Sequence, residues 1–140
     1  MLNTRPYSHP TDQAAVVDIW QRAGLTRPWN DPIKDIVRKL TVQPEMFLVG
    51  EADGNIVAVV MAGYDGHRGW INYLAVDPNA RRKGYGKVMM DAATEKLTAL
   101  GCPKINLQIR KDNAEVKAFY EALGYKEDNV LSMGKRLIED

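Results

Sequence analysis

What this chain has little of narrows its function first. A single cysteine, Cys102, allows no internal disulfide and gives no reason to expect an oxidising compartment. At the start of an expected strand, that thiol reads as a small core residue. Charge of neither sign dominates: 19 Lys and Arg against 18 Asp and Glu leave a net charge of +1. A nucleic-acid binder is usually strongly basic, so no nucleic-acid partner is expected. No apolar run approaches the roughly 20 residues needed to cross a bilayer, and the opening MLNTRPYSHP lacks the apolar stretch of a secretory signal. The expectation is a soluble, cytoplasmic protein with no membrane partner. Repeats, low-complexity tracts and linkers are also missing, and 140 residues suit one domain spanning 1–140.

Helix start and stop signals organise the rest. Val16, Ile19, Trp20 and Ala23 share one helical face, and Gly24 is placed to end that helix. A second helix opens at Asp31-Pro32, a capping residue followed by a proline whose missing N–H costs nothing in a first turn. Its expected apolar face is Ile33, Ile36, Val37 and Leu40. Strands are expected over 46–51 and 56–63, joined by a turn at Asp53-Gly54, and then over 70–76. The longest helix is expected from Lys87 to Leu100, with Val88, Met89, Ala92, Ala93, Leu97 and Leu100 as its stripe and Gly101-Cys102-Pro103 as its stop. A strand over 104–110, a helix over 114–123 ended by Gly124, and a last extended stretch over 130–138 complete the order. The strand–helix–strand crossover makes 70–76 and 104–110 parallel neighbours. The fold class is therefore α/β in the mixed sense, a sheet of both strand directions with helices on its faces.

The informative stretch is Leu74-Ala75-Val76-Asp77-Pro78-Asn79-Ala80-Arg81-Arg82-Lys83-Gly84-Tyr85-Gly86, running from a strand into the longest helix. A helix N-terminus carries about half a positive charge and favours an acidic or hydroxyl cap. Here it receives Arg81, Arg82 and Lys83 and two glycines instead. An anion resolves the conflict: glycines let the backbone approach, free N–H groups point at its oxygens, and the cations add charge. A phosphate or diphosphate is the natural guest. A dinucleotide loop needs a third glycine where this chain has Met89, and a Walker loop needs Gly-Lys-Ser/Thr, so neither fits. The bland alternative is a glycine-rich turn on a solvated basic face.

The pattern Arg-x-x-Gly-x-Gly after Leu-Ala-Val-Asp-Pro resembles the pyrophosphate loop of GNAT N-acetyltransferases. Downstream, Asn113-Ala114-Glu115-Val116-Lys117-Ala118-Phe119-Tyr120-Glu121-Ala122-Leu123-Gly124-Tyr125 is similar to that family's Asn … Phe-Tyr-Glu-x-Leu-Gly-Phe/Tyr signature. The segments 27–32, 63–69 and 134–137 further resemble the bacterial YpeA-type branch. The resemblance implies a mostly antiparallel sheet with two parallel, splayed strands and about four helices. It also implies acetyl-CoA as cosubstrate, an amine as acceptor, and no metal. The cofactor-binding residues would be Leu74, Ala75 and Val76 along the pantetheine arm, and Arg81, Arg82, Lys83, Gly84, Tyr85 and Gly86 at the pyrophosphate. Asn113 and Tyr120 would complete them, with Tyr120 also the catalytic acid that protonates the departing thiolate.

Ordinary structural readings stand beside these. Tyr120 shares an apolar helical face with Val116, Phe119 and Leu123. Asn113 is either a helix N-cap or, if Asp112 and Glu115 form the capping pair, free for the cofactor. The general base is not legible. Gln108 stands where some family members that acetylate protein N-termini carry a Glu, so Glu51, Asp65 or His67 would have to serve instead, or ordered water would relay the proton outward. The acceptor is expected against the first two helices and the turn at 63–69, near Trp29, Asp31, Tyr64, Asp65 and Trp70. A non-catalytic acetyl-CoA sensor is the alternative to an enzyme. The oligomeric state is not fixed, although an exposed final strand is able to pair with a second copy in a homodimer.

Overall fold

A computed structural model describes residues 1–140. Two compact units divide the chain, 1–107 and 108–140. The first holds a five-stranded sheet in the order β1 (Asn3–Pro6), β2 (Phe47–Ala52), β3 (Asn55–Tyr64), β4 (Gly69–Val76) and β5 (Ile105–Leu107). Each neighbouring pair is antiparallel except the last, which is parallel with Gly69, Trp70 and Ile71 beside Ile105, Asn106 and Leu107. That parallel pair is the one expected from the crossover helix. β1 carries no sequence signal of its own: its register against β2 runs Asn3 to Pro6 opposite Glu51 to Leu48. Four residues including a proline do not announce a strand without their partner.

The period of two along the strands builds a core on each face of the sheet. Phe47, Val49, Val59, Met61 and Ala75 gather with Val16, Ile19 and Trp20 of α1 (Gln13–Arg22) and Ile36 of α2 (Pro32–Lys39). The opposite face takes α3 (Tyr85–Ala99), whose buried residues are Met89, Met90, Ala93 and Leu97. Gly69 marks how closely α3 approaches, since a Cβ there would meet Cys102 Sγ at 2.8 Å and Leu97 at 3.1 Å. Cys102 is thus half-buried packing at the foot of α3.

Three expectations need correction. Val88 and Leu100 are exposed, so the stripe of α3 is carried by Met90 in their place. On α2 only Ile36 is buried, while Ile33 and Val37 are exposed. The sheet-facing side of α2 instead brings in polar groups: Asp35 accepts from Tyr73, and Lys39 Nζ donates to the Ala62 carbonyl at 2.6 Å. Finally, 130–138 forms no strand and is exposed throughout. Alternation of apolar residues sets local preference, but a strand exists only through a ladder partner, and none pairs with this segment.

The second unit, 108–140, contains α4 (Ala114–Ala122). Gly124, with φ of +94°, follows it as expected. No helix of either unit is long and apolar enough to cross a membrane.

Candidate functional site

β4 outruns its parallel neighbour. Pairing with β5 ends at Ile71, whereas β4 continues to Val76 alongside β3. Just past that point the register against β3 slips by one, so two residues, Tyr73 and Leu74, oppose Val60. Such a bulge bends the strand and deepens its twist, and past Ile71 no strand pairs with β4 on the β5 side. Tyr73 lies at the bulge with φ of +55°. A bulky residue there stores about 1–3 kcal/mol, a cost found most often at functional positions. Beyond the bulge the Asp77 N–H donates to the Val57 carbonyl at 2.7 Å. Alternation then turns the Val76 N–H and C=O to the opposite edge, the one β5 has left. Leu74, Ala75 and Val76 therefore follow a kink beside a strand edge suited to an extended ligand.

After β4 the chain makes one 3₁₀ turn, Pro78–Ala80. Asp77 anchors it by accepting from the Asn79 N–H at 2.9 Å and from both Nη atoms of Arg22 at 2.7 and 2.9 Å. Two left-handed residues follow, Arg82 at φ of +66° and Gly84 at +75°. Gly84 is the N-cap of α3, and no side chain caps the helix. The first helical bond runs from the Val88 N–H to the Gly84 carbonyl, so the Tyr85, Gly86 and Lys87 N–H groups precede it without intrahelical acceptors. Arg81, Arg82 and Lys83 are exposed and belong to none of the chain's ion pairs. Gly86 is the second residue of α3 rather than part of the turn, so Gly84 alone supplies the left-handed conformation. Uncapped donors, a helix dipole and three uncommitted cations fit a diphosphate.

Asn113 and Tyr120 lie in the second unit. Asn113 is the N-cap of α4, its Oδ1 accepting from the Val116 N–H at 3.1 Å, so the capping duty does not fall to Asp112. Tyr120 is 7% exposed and stands edge-on to Phe119 and Tyr125 at centroid distances of 5.0 and 5.5 Å. Burial, helped by the Tyr125 phenol, pushes its pKa well above the usual tyrosine value. The hydroxyl therefore carries its proton at neutral pH, the state required of an acid. Gln108 donates to Ser132 Oγ.

The three substitute bases are committed elsewhere or exposed. Glu51 accepts from Arg5 Nε, and Arg5 in turn grips Asp12 at 2.7 and 3.0 Å. Asp65 staples its own turn, accepting from the His67 and Arg68 N–H groups and from Trp70 Nε1, and these bonds hold its pKa below the usual range. His67 is exposed in that turn. Asp31 caps α2, accepting from the Ile33 N–H at 2.9 Å. Of the aromatics expected at the acceptor, Trp29 is half exposed and Tyr64 turns its hydroxyl to the Gly66 carbonyl.

Sequence reasoning missed a different pair. Tyr73 Oη donates to Asp35 Oδ2 at 2.7 Å, joining the β4 bulge to α2. The Tyr73 ring stacks on Trp20 with centroids 4.0 Å apart, and Trp20 Nε1 donates to the Tyr73 carbonyl at 3.2 Å. The available signal was an acidic residue, Asp35, on the sheet-facing side of a helix whose apolar residues Ile33 and Val37 face outward.

The model of the acetyltransferase (GNAT) family matches residues 13–125, a span crossing both units. An acetyltransferase of Pectobacterium atrosepticum is 50% identical over 129 residues, covering 92% of each chain. Among solved structures, Ard1 of Thermoplasma volcanium is 30% identical with a TM-score of 0.76, over 88% of this chain and 81% of that one. The ribosomal-protein-S18-alanine N-acetyltransferase of Escherichia coli is 26% identical with a TM-score of 0.77, over 92% and 80%. The chain belongs to the GNAT family of acetyltransferases.

Proposed function

We propose that this enzyme, acting as one GNAT domain over residues 1–140, moves the acetyl group of acetyl-CoA directly to a primary amine of a small molecule or polypeptide. The observation that carries the reading is the uncapped N-terminus of α3 behind Arg81, Arg82 and Lys83. Those cations and the N–H groups from Gly84 to Gly86 suit the pyrophosphate, and the free edge of β4 at Leu74, Ala75 and Val76 suits the pantetheine amides. Asn113 completes the set by its motif position, with Nδ2 left over from the capping bond. Acetyl-CoA supplies an activated acyl carbon. The protein holds that carbon still, and Tyr120 gives its phenolic proton to the sulfur as the C–S bond breaks. The cytoplasm, with its supply of the donor, is the compartment that goes with this activity.

A primary amine is the acceptor class we propose, in keeping with the N-acetyltransferase among the solved structures, which is 26% identical to this chain. A polypeptide N-terminus is one candidate, in keeping with the name of the Escherichia coli neighbour. The test incubates purified protein with acetyl-CoA and a panel of primary amines, following free thiol and acetylated amine together. Equal amounts of thiol and N-acetyl product support the reading. Tight acetyl-CoA binding with no amine-dependent product overturns it in favour of a sensor.

A further inference from the structure

We infer that Tyr73 and Asp35 form the proton relay that deprotonates the acceptor nitrogen, with Tyr73 touching the amine and Asp35 acting through it. The inference rests on the acetyl-transfer reading above and supplies the base which that reading lacks. Four observations converge on the pair.

The hydroxyl-to-carboxylate bond is short and directional, Tyr73 Oη to Asp35 Oδ2 at 2.7 Å, as expected for a charge-assisted bond. Tyr73 immediately precedes Leu74 in the strand that bends away from β5, so its side chain is anchored beside the edge proposed to hold the acyl donor. Its backbone is left-handed at φ of +55°, an arrangement kept in place by the stack on Trp20 and the bond from Trp20 Nε1. Both members are half-buried, with 22% of the Asp35 side chain exposed, so the carboxylate is sheltered yet reachable by solvent.

On the same helix as Asp35, Asp31 lies one turn back, its carbonyl accepting the Asp35 N–H at 3.0 Å, and Lys34 is adjacent. From its own helix Arg38 approaches at 3.3 Å, and Lys39 lies one turn on with its Nζ held by the Ala62 carbonyl. From β4 the neighbour is Tyr73 itself, and from α1 the packed ring is the uncharged Trp20. Glu45 acts on Lys39, which burial has made easier to deprotonate than a surface lysine. Arg38 and the Tyr73 hydroxyl are thus the groups in direct contact with the Asp35 carboxylate.

The step balances as follows. A neutral amine attacks the thioester carbon, forming the N–C bond and making the nitrogen cationic and strongly acidic. Its proton passes to Tyr73 Oη while the Tyr73 proton passes to Asp35. The C–S bond breaks, and the sulfur takes the proton of Tyr120. Asp35 then releases its proton to water, and Tyr120 regains one from water. No oxidant or further reactant is needed. A carboxylate suffices as acceptor only because the nitrogen has become acidic by bonding to the acyl carbon.

The test compares wild type, Asp35→Asn and Tyr73→Phe. Acetyl-CoA affinity is read by calorimetry and melting temperature by circular dichroism. Amine-dependent thiol release is measured from pH 6.5 to 9.5 with an alanine-initiated tripeptide amide, Nα-acetyl-lysine amide and spermidine. The relay predicts unchanged acetyl-CoA affinity in both variants and at least tenfold slower release at pH 7. The deficit should narrow to about threefold at the alkaline end, where hydroxide takes the nitrogen proton instead. A deficit of the same size at every pH, or none at all, overturns the relay and leaves the pair a structural tie between α2 and β4. Failure of the wild type to bind acetyl-CoA overturns the acetyl-transfer reading itself. Binding without thiol release from any of the three amines overturns the relay together with the acceptor class.

Discussion

Trp20 and Tyr73 lie ring against ring, centroids 4.0 Å apart, while the Trp20 indole N–H donates to the Tyr73 backbone carbonyl at 3.2 Å. One side chain thus fixes both the ring and the peptide group of a residue at the bulge of β4. The row continues through Phe47 and Tyr7, stacked at 6.2 and 4.5 Å, so the core on this face of the sheet is built up to the strand that bends. Trp20 is fully buried. Trp20→Phe should keep most of the packing but leave the bulge carbonyl without its donor. The expected loss is about 1–3 kcal/mol of unfolding free energy, read by urea titration, with a larger fall in turnover than the folded fraction explains. A stable variant with normal turnover would show that the bulge holds its shape unaided.

Gly84 is required for its backbone rather than for space. A Cβ there meets nothing within 4 Å, yet φ is +75°. Gly84→Ala should therefore cost roughly 1 kcal/mol through strain alone. Acetyl-CoA affinity should fall further, because relaxing the strain moves the N–H groups that open α3. Thermal melting with and without acetyl-CoA separates the two effects: the ligand-induced rise in melting temperature should shrink, not merely the baseline.

Acid should loosen the turn before α3 at its anchor. The bidentate Arg22 guanidinium, with the Asn79 N–H, holds the Asp77 pKa down to about 2. An unfolded aspartate titrates near 4. The stability this pair supplies is therefore complete above about pH 4 and is lost as pH falls toward 2, since the unfolded chain binds the proton first. Melting temperature followed from pH 5 to 2 should drop more steeply in the wild type than in Arg22→Ala. Parallel curves would mean the exposed pair contributes nothing measurable.

Tyr120→Phe should leave acetyl-CoA affinity unchanged and lower turnover at least tenfold, because the ring still fills its place beside Phe119 and Tyr125 while the proposed proton donor is gone. Steady-state thiol release and calorimetry on the same sample decide this. Unchanged turnover would return Tyr120 to the role of a packing aromatic.

Local signals were legible in the sequence where they acted locally. Asp31-Pro32 opens α2, Asp53-Gly54 turns β2 into β3, and the conflict of Arg81, Arg82 and Lys83 with a helix N-terminus marks the uncapped end of α3. Relationships across the chain were not legible. Tyr73 and Asp35 are 38 positions apart and meet because α2 and β4 both pack against α1. β1 exists because β2 offers it an edge, and 130–138, with a better strand composition, remains outside the sheet. Periodicity placed Ile33 and Val37 on one stripe with Ile36 but could not say how much of that stripe the sheet would cover.

The most direct test of the central claim is a calorimetric titration of the purified protein with acetyl-CoA, with ATP and NAD as controls and Gly86→Glu alongside. A carboxylate at the second residue of α3 places negative charge where the pyrophosphate is proposed to lie. Saturable binding of acetyl-CoA alone, abolished in the variant, is the predicted result. Equal binding by the variant, or competition by ATP at the strength of acetyl-CoA, would contradict the assignment of this loop.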